Sequence, residues 1–147
     1  MKQTDSKYKS VRGWGCYLCV LAWLGGVRDI RDVDRYFIDL ISSGWVYDNQ
    51  LPKTRRGWYR CFVVKPERVV EYYARMMGSN VHAQELTRHP HDPRPTFALD
   101  GLWIVIEAAT ENGSHFGVVY PEVYNPDPRY PLDDGRTWRA WSVANVE

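Results

Sequence analysis

Gly13-Trp14-Gly15-Cys16-Tyr17-Leu18-Cys19-Val20-Leu21-Ala22-Trp23-Leu24-Gly25-Gly26 is the stretch on which the reading of this chain turns. A polar, irregular start becomes an apolar run at Cys16, and two glycines end the run. A turn before the first apolar residue and glycine after the last are helix start and stop signals. The spacing therefore predicts a helix from about Cys16 to Leu24, with the Cys16 sulfur near its N-terminal end. The unpaired N–H groups and helix dipole there are expected to favour a thiolate. A thiolate becomes a controlled nucleophile only beside a base and a group that orients that base.

The rest of the chain bounds what such a site can serve. With 147 residues, 44% hydrophobic and 25% charged, it has the size and composition of one globular domain with its own core. A net charge of +1 gives no global field to recruit nucleic acid or anionic lipid, so neither is expected as a partner. Seven Trp and ten Tyr fit an aromatic core first, and a sugar- or peptide-holding groove second. No apolar stretch approaches a membrane span, and Met1-Lys2-Gln3-Thr4-Asp5 lacks a signal-peptide core, so a cytoplasmic location is expected. Three cysteines are an odd number, which argues against a disulfide framework and leaves at least one thiol free.

Working outward, residues 1–12 read as a poorly ordered polar arm and 13–147 as a single domain. Asp29 is placed to cap a second helix with Ile30, Val33, Phe37, Leu40 and Ile41 on one face, closed by Gly44. Residues 45–57 read as a loop carrying Lys53, Arg55 and Arg56, a solvated basic segment by default. Cys61-Phe62-Val63-Val64 is a short apolar segment. Pro66 then opens a third helix that ends at Gly78. Strands are expected over Val81 to Leu86, Leu102 to Ile106, His115 to Tyr120, briefly at Val123-Tyr124, and over Thr137 to Val143. His89 to Pro95 holds three prolines and reads as a loop. Helices first and antiparallel strands after make an α+β fold.

Three residues stand out as a catalytic set. Cys16 is the candidate nucleophile, with a buried structural cysteine as the plain alternative. His115 starts an apolar strand that can fix its ring against a cleft, unlike His89 and His91 in the proline-rich segment. Asn125 ends the next short strand and is placed to orient the imidazole, with Asp127 as its rival in a turn-forming Asn-Pro-Asp-Pro run. Trp14, Gly15 and Tyr17 flank the cysteine as oxyanion or cleft residues. Cys16 and Cys19 also form a Cys-x-x-Cys pair. A redox role would want a strand before it, and zinc would want two more ligands, neither of which the sequence supplies; no cofactor or metal is expected.

The order Cys16, His115-Phe116-Gly117-Val118-Val119, Asn125-Pro126 (or Asp127-Pro128) resembles the papain-like cysteine peptidase superfamily, in its short bacteriocin-processing, C39-like branch. Gly15-Cys16-Tyr17, Cys61-Phe62 and His115-Phe116 are also similar to a phage- and prophage-associated family of unknown function. The resemblance runs through short motifs over most of residues 13–143. It implies a papain-like fold, with N-terminal helices on a C-terminal antiparallel sheet, and a Cys-His-Asn triad acting on amide or related acyl bonds. It also implies a glutamine about six residues before the cysteine. Ser10 stands there, and the nearest upstream glutamine is Gln3. Tyr17 stands where glycine usually follows the cysteine.

Three readings follow. The first is a cysteine hydrolase of peptidase or amidase type, with a peptide or amide substrate. The second is a non-catalytic phage accessory protein that uses the same cleft to bind a protein partner. The third is a thiol-redox or metal-binding protein. The sequence does not set the oligomeric state.

Overall fold

Helix α2 (Cys16–Leu24) holds the molecule together because it is apolar on nearly every side. Leu18, Cys19, Val20, Leu21, Ala22 and Leu24 are all buried, which places the helix inside the protein and not on its surface. In the computed structural model, which describes residues 1–48, 60–90, 101–110, 113–132 and 135–146, it packs between a helix and a sheet.

Around it, local rules set the remaining helices. α1 (Lys9–Trp14) precedes α2 and meets it at Gly15. α3 (Ile30–Ser42) starts at Asp29, whose side chain accepts a 3.0 Å hydrogen bond from the Arg31 N–H. Its buried stripe of Val33, Phe37 and Leu40 faces the core, and Gly44, at φ 78°, takes the chain out in a conformation that suits glycine. Strand β1 (Val46–Tyr47) pairs antiparallel with β2 (Phe62–Val63), Val46 opposite Val63. α4 (Pro66–Met76) begins at its proline and buries Val69, Val70, Tyr73 and Ala74 against α2.

The second half is a four-stranded antiparallel sheet in the order β3-β6-β4-β5. Its strands are β3 (Val81–Pro90), β4 (Leu102–Thr110), β5 (Gly113–Tyr120) and β6 (Gly135–Asn145). β5 forms one edge and lies against α2, so the helix carrying Cys16 and the strand carrying His115 share an interface. The architecture is α+β, with helices before sheet as the sequence predicts.

Besides strand β1, which takes Val46–Tyr47 out of the segment 45–57 read as a loop, two expectations change. Residues 1–12 do not trail as a loose arm. Gln3–Asp5 forms a 3-10 turn, and Gln3, Ser6, Ser10 and Val11 are buried. Polar anchors do this work where apolar residues are scarce: Ser6 Oγ hydrogen-bonds the Asp34 carboxylate, and the Lys7 N–H donates to the same group at 2.8 Å. The second change is at His89 and Pro90, which extend β3 and pair with Trp138 and Thr137. Proline fits there because β3 is an edge strand, where a missing N–H breaks no inner ladder. Residues 91–95 and the basic trio Lys53, Arg55 and Arg56 lie outside the described residues. Among the described residues, no helix is long and apolar enough to cross a membrane.

Candidate active site

Cys16 occupies the first position of α2. Gly15 makes the approach possible: a Cβ there would lie 2.6 Å from the Val11 carbonyl oxygen, so α1 folds tightly onto the start of α2. The Cys16 thiol is only 8% exposed and rests on the Ser114 carbonyl oxygen of β5 at 3.6 Å. Burial pushes its pKa up from 9.0 to about 11, although the backbone N–H groups of Phe116, Tyr17 and Cys16 itself pull the other way. The expectation that the helix end favours a thiolate therefore fails for the resting protein: removing the sulfur from water outweighs the N–H groups and dipole. Cys19 and Cys61 are also free and buried, and burial pushes both of their pKa values up as well.

His115 lies on β5, 3% exposed, and its Nε2 is 2.7 Å from Asn125 Oδ1. The fold delivers Asn125 through a tight reversal in which Val118 and Tyr124 exchange backbone hydrogen bonds of 2.8 and 2.9 Å. α2 clamps that reversal. Trp23 stacks on Tyr124 at 4.1 Å, and the Trp23 indole N–H and the Arg28 guanidinium both donate to Glu122. The Asn125 amide is oriented by its own partners: Nδ2 donates to the Tyr130 carbonyl at 2.8 Å, and Oδ1 accepts from the Asp127 N–H at 3.2 Å. The oxygen thus faces the imidazole, so His115 Nε2 carries the proton and Nδ1 is left with its lone pair.

Asp127 is close by but engaged elsewhere. Arg129 grips its carboxylate at 2.7 and 2.9 Å and holds the carboxyl below the usual carboxylate range. Of the two candidate orienters, the geometry puts Asn125 on the ring.

Cys16, His115 and Asp127 open onto one depression of about 480 Å3, and Gln3 lines it too. The Gln3 N–H donates to the Pro126 carbonyl at 3.0 Å and its Nε2 to the Arg12 carbonyl at 3.2 Å, while Oε1 is buried with no donor among the described residues. The resemblance expects a glutamine where Ser10 stands. Ser10 faces away from this role: its Oγ bonds Asp48, whose other oxygen takes the Cys61 N–H. Gln3 lies thirteen positions before Cys16, and the 3-10 turn followed by α1 folds that distance back on itself.

The flanking residues divide. Gly15 is buried beneath the site, and Trp14 stands 47% exposed above it. Tyr17 faces a neighbouring cleft, 4.3 Å from the Phe116 ring, with the Arg139 guanidinium over both rings. His82 sits on the surface beside Glu71. Among the described residues, no group of three or more His, Cys, Asp or Glu side chains is arranged to hold a metal ion. Compared with models of known protein families, with curated proteins and with solved structures, the chain matches none.

Proposed function

We propose that this chain is a papain-like cysteine hydrolase that cleaves an amide or related acyl bond. The observation that carries the reading is the 2.7 Å contact between His115 Nε2 and Asn125 Oδ1, which leaves Nδ1 as a base in the depression shared with Cys16. The resting thiol stays protonated, so proton transfer accompanies attack. A turn about the Cys16 side chain takes the sulfur from the Ser114 carbonyl toward Nδ1. As the S–C bond forms, Nδ1 takes the thiol proton and the carbonyl π pair moves onto oxygen. The imidazolium then returns the proton to the leaving amine. Water, activated by the same nitrogen, hydrolyses the thioester. The Cys16 backbone N–H at the helix end and the Gln3 amide are the donors assigned to the oxyanion.

A second reading is favoured by one observation: the thiol sits on Ser114 O and is held at a pKa of about 11, as in a non-catalytic relative that binds a partner in the same cleft. The redox reading gains no support, because both thiols of the Cys16–Cys19 pair are pushed up and a reactive pair needs one pulled down. Incubating wild-type and Cys16→Ser protein with a random peptide pool separates the first two. New peptide termini made by wild type alone support the hydrolase. A pool left intact by both supports the binder.

A further inference from the structure

A cleft of about 780 Å3 adjoins Cys16 on the side away from His115, and its walls differ from the rest of the surface. Its floor is apolar and aromatic, formed by Tyr17, Phe116, Phe62 and Val64, the last two 50% and 45% exposed. Among the described residues, the charged ones lining it are cationic: Arg60, Arg88 and Arg139. On the other side of Trp14 lies a second depression of about 510 Å3, lined among the described residues by Lys9, Arg12, Arg60 and Arg129 and by no carboxylate. Trp14 and Arg60 belong to both, so the two form a continuous track past the cysteine.

These cations fall into two groups. Arg88, Arg139 and Arg129 are held by Glu85, Glu107 and Asp127. Arg139 is also nine-tenths buried, lies across the Tyr17 and Phe116 rings, and keeps a buried Nε with no acceptor among the described residues. Lys9, Arg12 and Arg60 have no carboxylate partner among the described residues. Together with the paired arginines, they line the two depressions beside Cys16 with positive charge. A concave, low-dielectric surface of one sign selects ligands of the other.

We propose that the track binds an acidic peptide, with an apolar or aromatic side chain seated on the Tyr17–Phe116 floor and Asp or Glu residues on either side meeting Arg60, Lys9 and Arg12. This names the substrate class of the hydrolase reading and rests on that reading only for where the scissile bond lies. A peptide fits better than a nucleic acid because the floor between the cations is an apolar, aromatic cleft that opens onto a thiol.

The test uses the full chain with Cys16→Ser, so that bound peptide is not turned over. Two random peptide pools of equal length are offered together, one containing Asp and Glu and one with Asn and Gln in their place. The retained peptides are read by mass spectrometry. At least tenfold enrichment of the acidic pool, weakened by salt and by Arg60→Gln or Lys9→Glu, is the expected result. Equal retention of the two pools, retention of neither, or displacement of bound acidic peptides by a random single-stranded DNA pool overturns the proposal. Both added substitutions are on partly or fully exposed side chains, and unchanged melting temperatures confirm that the fold is intact. Wild-type protein is then given the same pools. Retention without cleavage overturns the hydrolase reading alone. Cys16-dependent cleavage of neutral peptides without acidic preference overturns this proposal alone.

Discussion

Asn125 Oδ1 fixes the tautomer of His115. Its 2.7 Å contact with Nε2 is set from behind by Tyr130 and Asp127, so the imidazole has one place for its proton and one free lone pair. Replacing Asn125 with Ala removes the acceptor and lets the ring turn or change tautomer. Nitrogen-resolved NMR of the His115 ring should report an Nε2-protonated tautomer in the wild type and a mixture in the variant. Turnover should fall by about tenfold to a hundredfold, equivalent to roughly 1.4–2.7 kcal/mol on the barrier.

Gln3 and His115 should fail in different ways. Gln3→Ala removes an oxyanion donor but not the base, so turnover should fall by about a hundredfold or more while the alkylation rate of Cys16 hardly changes. His115→Ala should lower both. Measuring alkylation and peptide cleavage on the two variants checks the assignment. Parallel losses in Gln3→Ala would show that the residue props up the site instead of binding the transition state.

Gly15 is a packing requirement. The added Cβ of Gly15→Ala meets the Val11 carbonyl oxygen and Cα at 2.6 and 2.8 Å, and these are backbone atoms of α1 that cannot swing aside. Overpacking of this kind destabilises by about 1–3 kcal/mol. Calorimetry should show a melting temperature lowered by several degrees, whereas Gly13→Ala, with open space around its Cβ, should lose little.

Asp127 links stability to acid. Arg129 lowers its folded pKa below 3.8, so the ion pair contributes fully above the unfolded value of about 3.9 and is lost as pH falls through the lower folded value. Melting curves from about pH 5 down to about pH 2 should fall more steeply for wild type than for Asp127→Asn. Superimposable curves would mean that the pair is too solvated to matter.

The parts of the molecule legible in the sequence were those governed by local rules. α2 begins at Cys16 and ends at Leu24 because an apolar run lies between glycines, and α3 begins where Asp29 can cap it. His115 and Asn125 were recognisable because ten residues of strand and reversal bring them side by side. What stayed hidden depends on the tertiary environment. Gln3 reaches the site only because Ser6 and Asp34 pin a polar segment that carries no periodicity. The thiol's raised pKa was invisible because a helix end is read from sequence and burial is not. Pro90 in β3 needed knowledge that this strand lies at an edge.

The most direct measurement is iodoacetamide alkylation of the folded protein across pH, read at each cysteine by mass spectrometry, in wild type and His115→Ala. An unaided thiol with a pKa of about 11 offers about one thiolate in ten thousand at neutral pH. Cys16 alone should react faster than that fraction allows, with a rate that collapses in His115→Ala. Equal, slow labelling of Cys16, Cys19 and Cys61, unchanged by the substitution, would contradict it and leave Cys16 a structural cysteine.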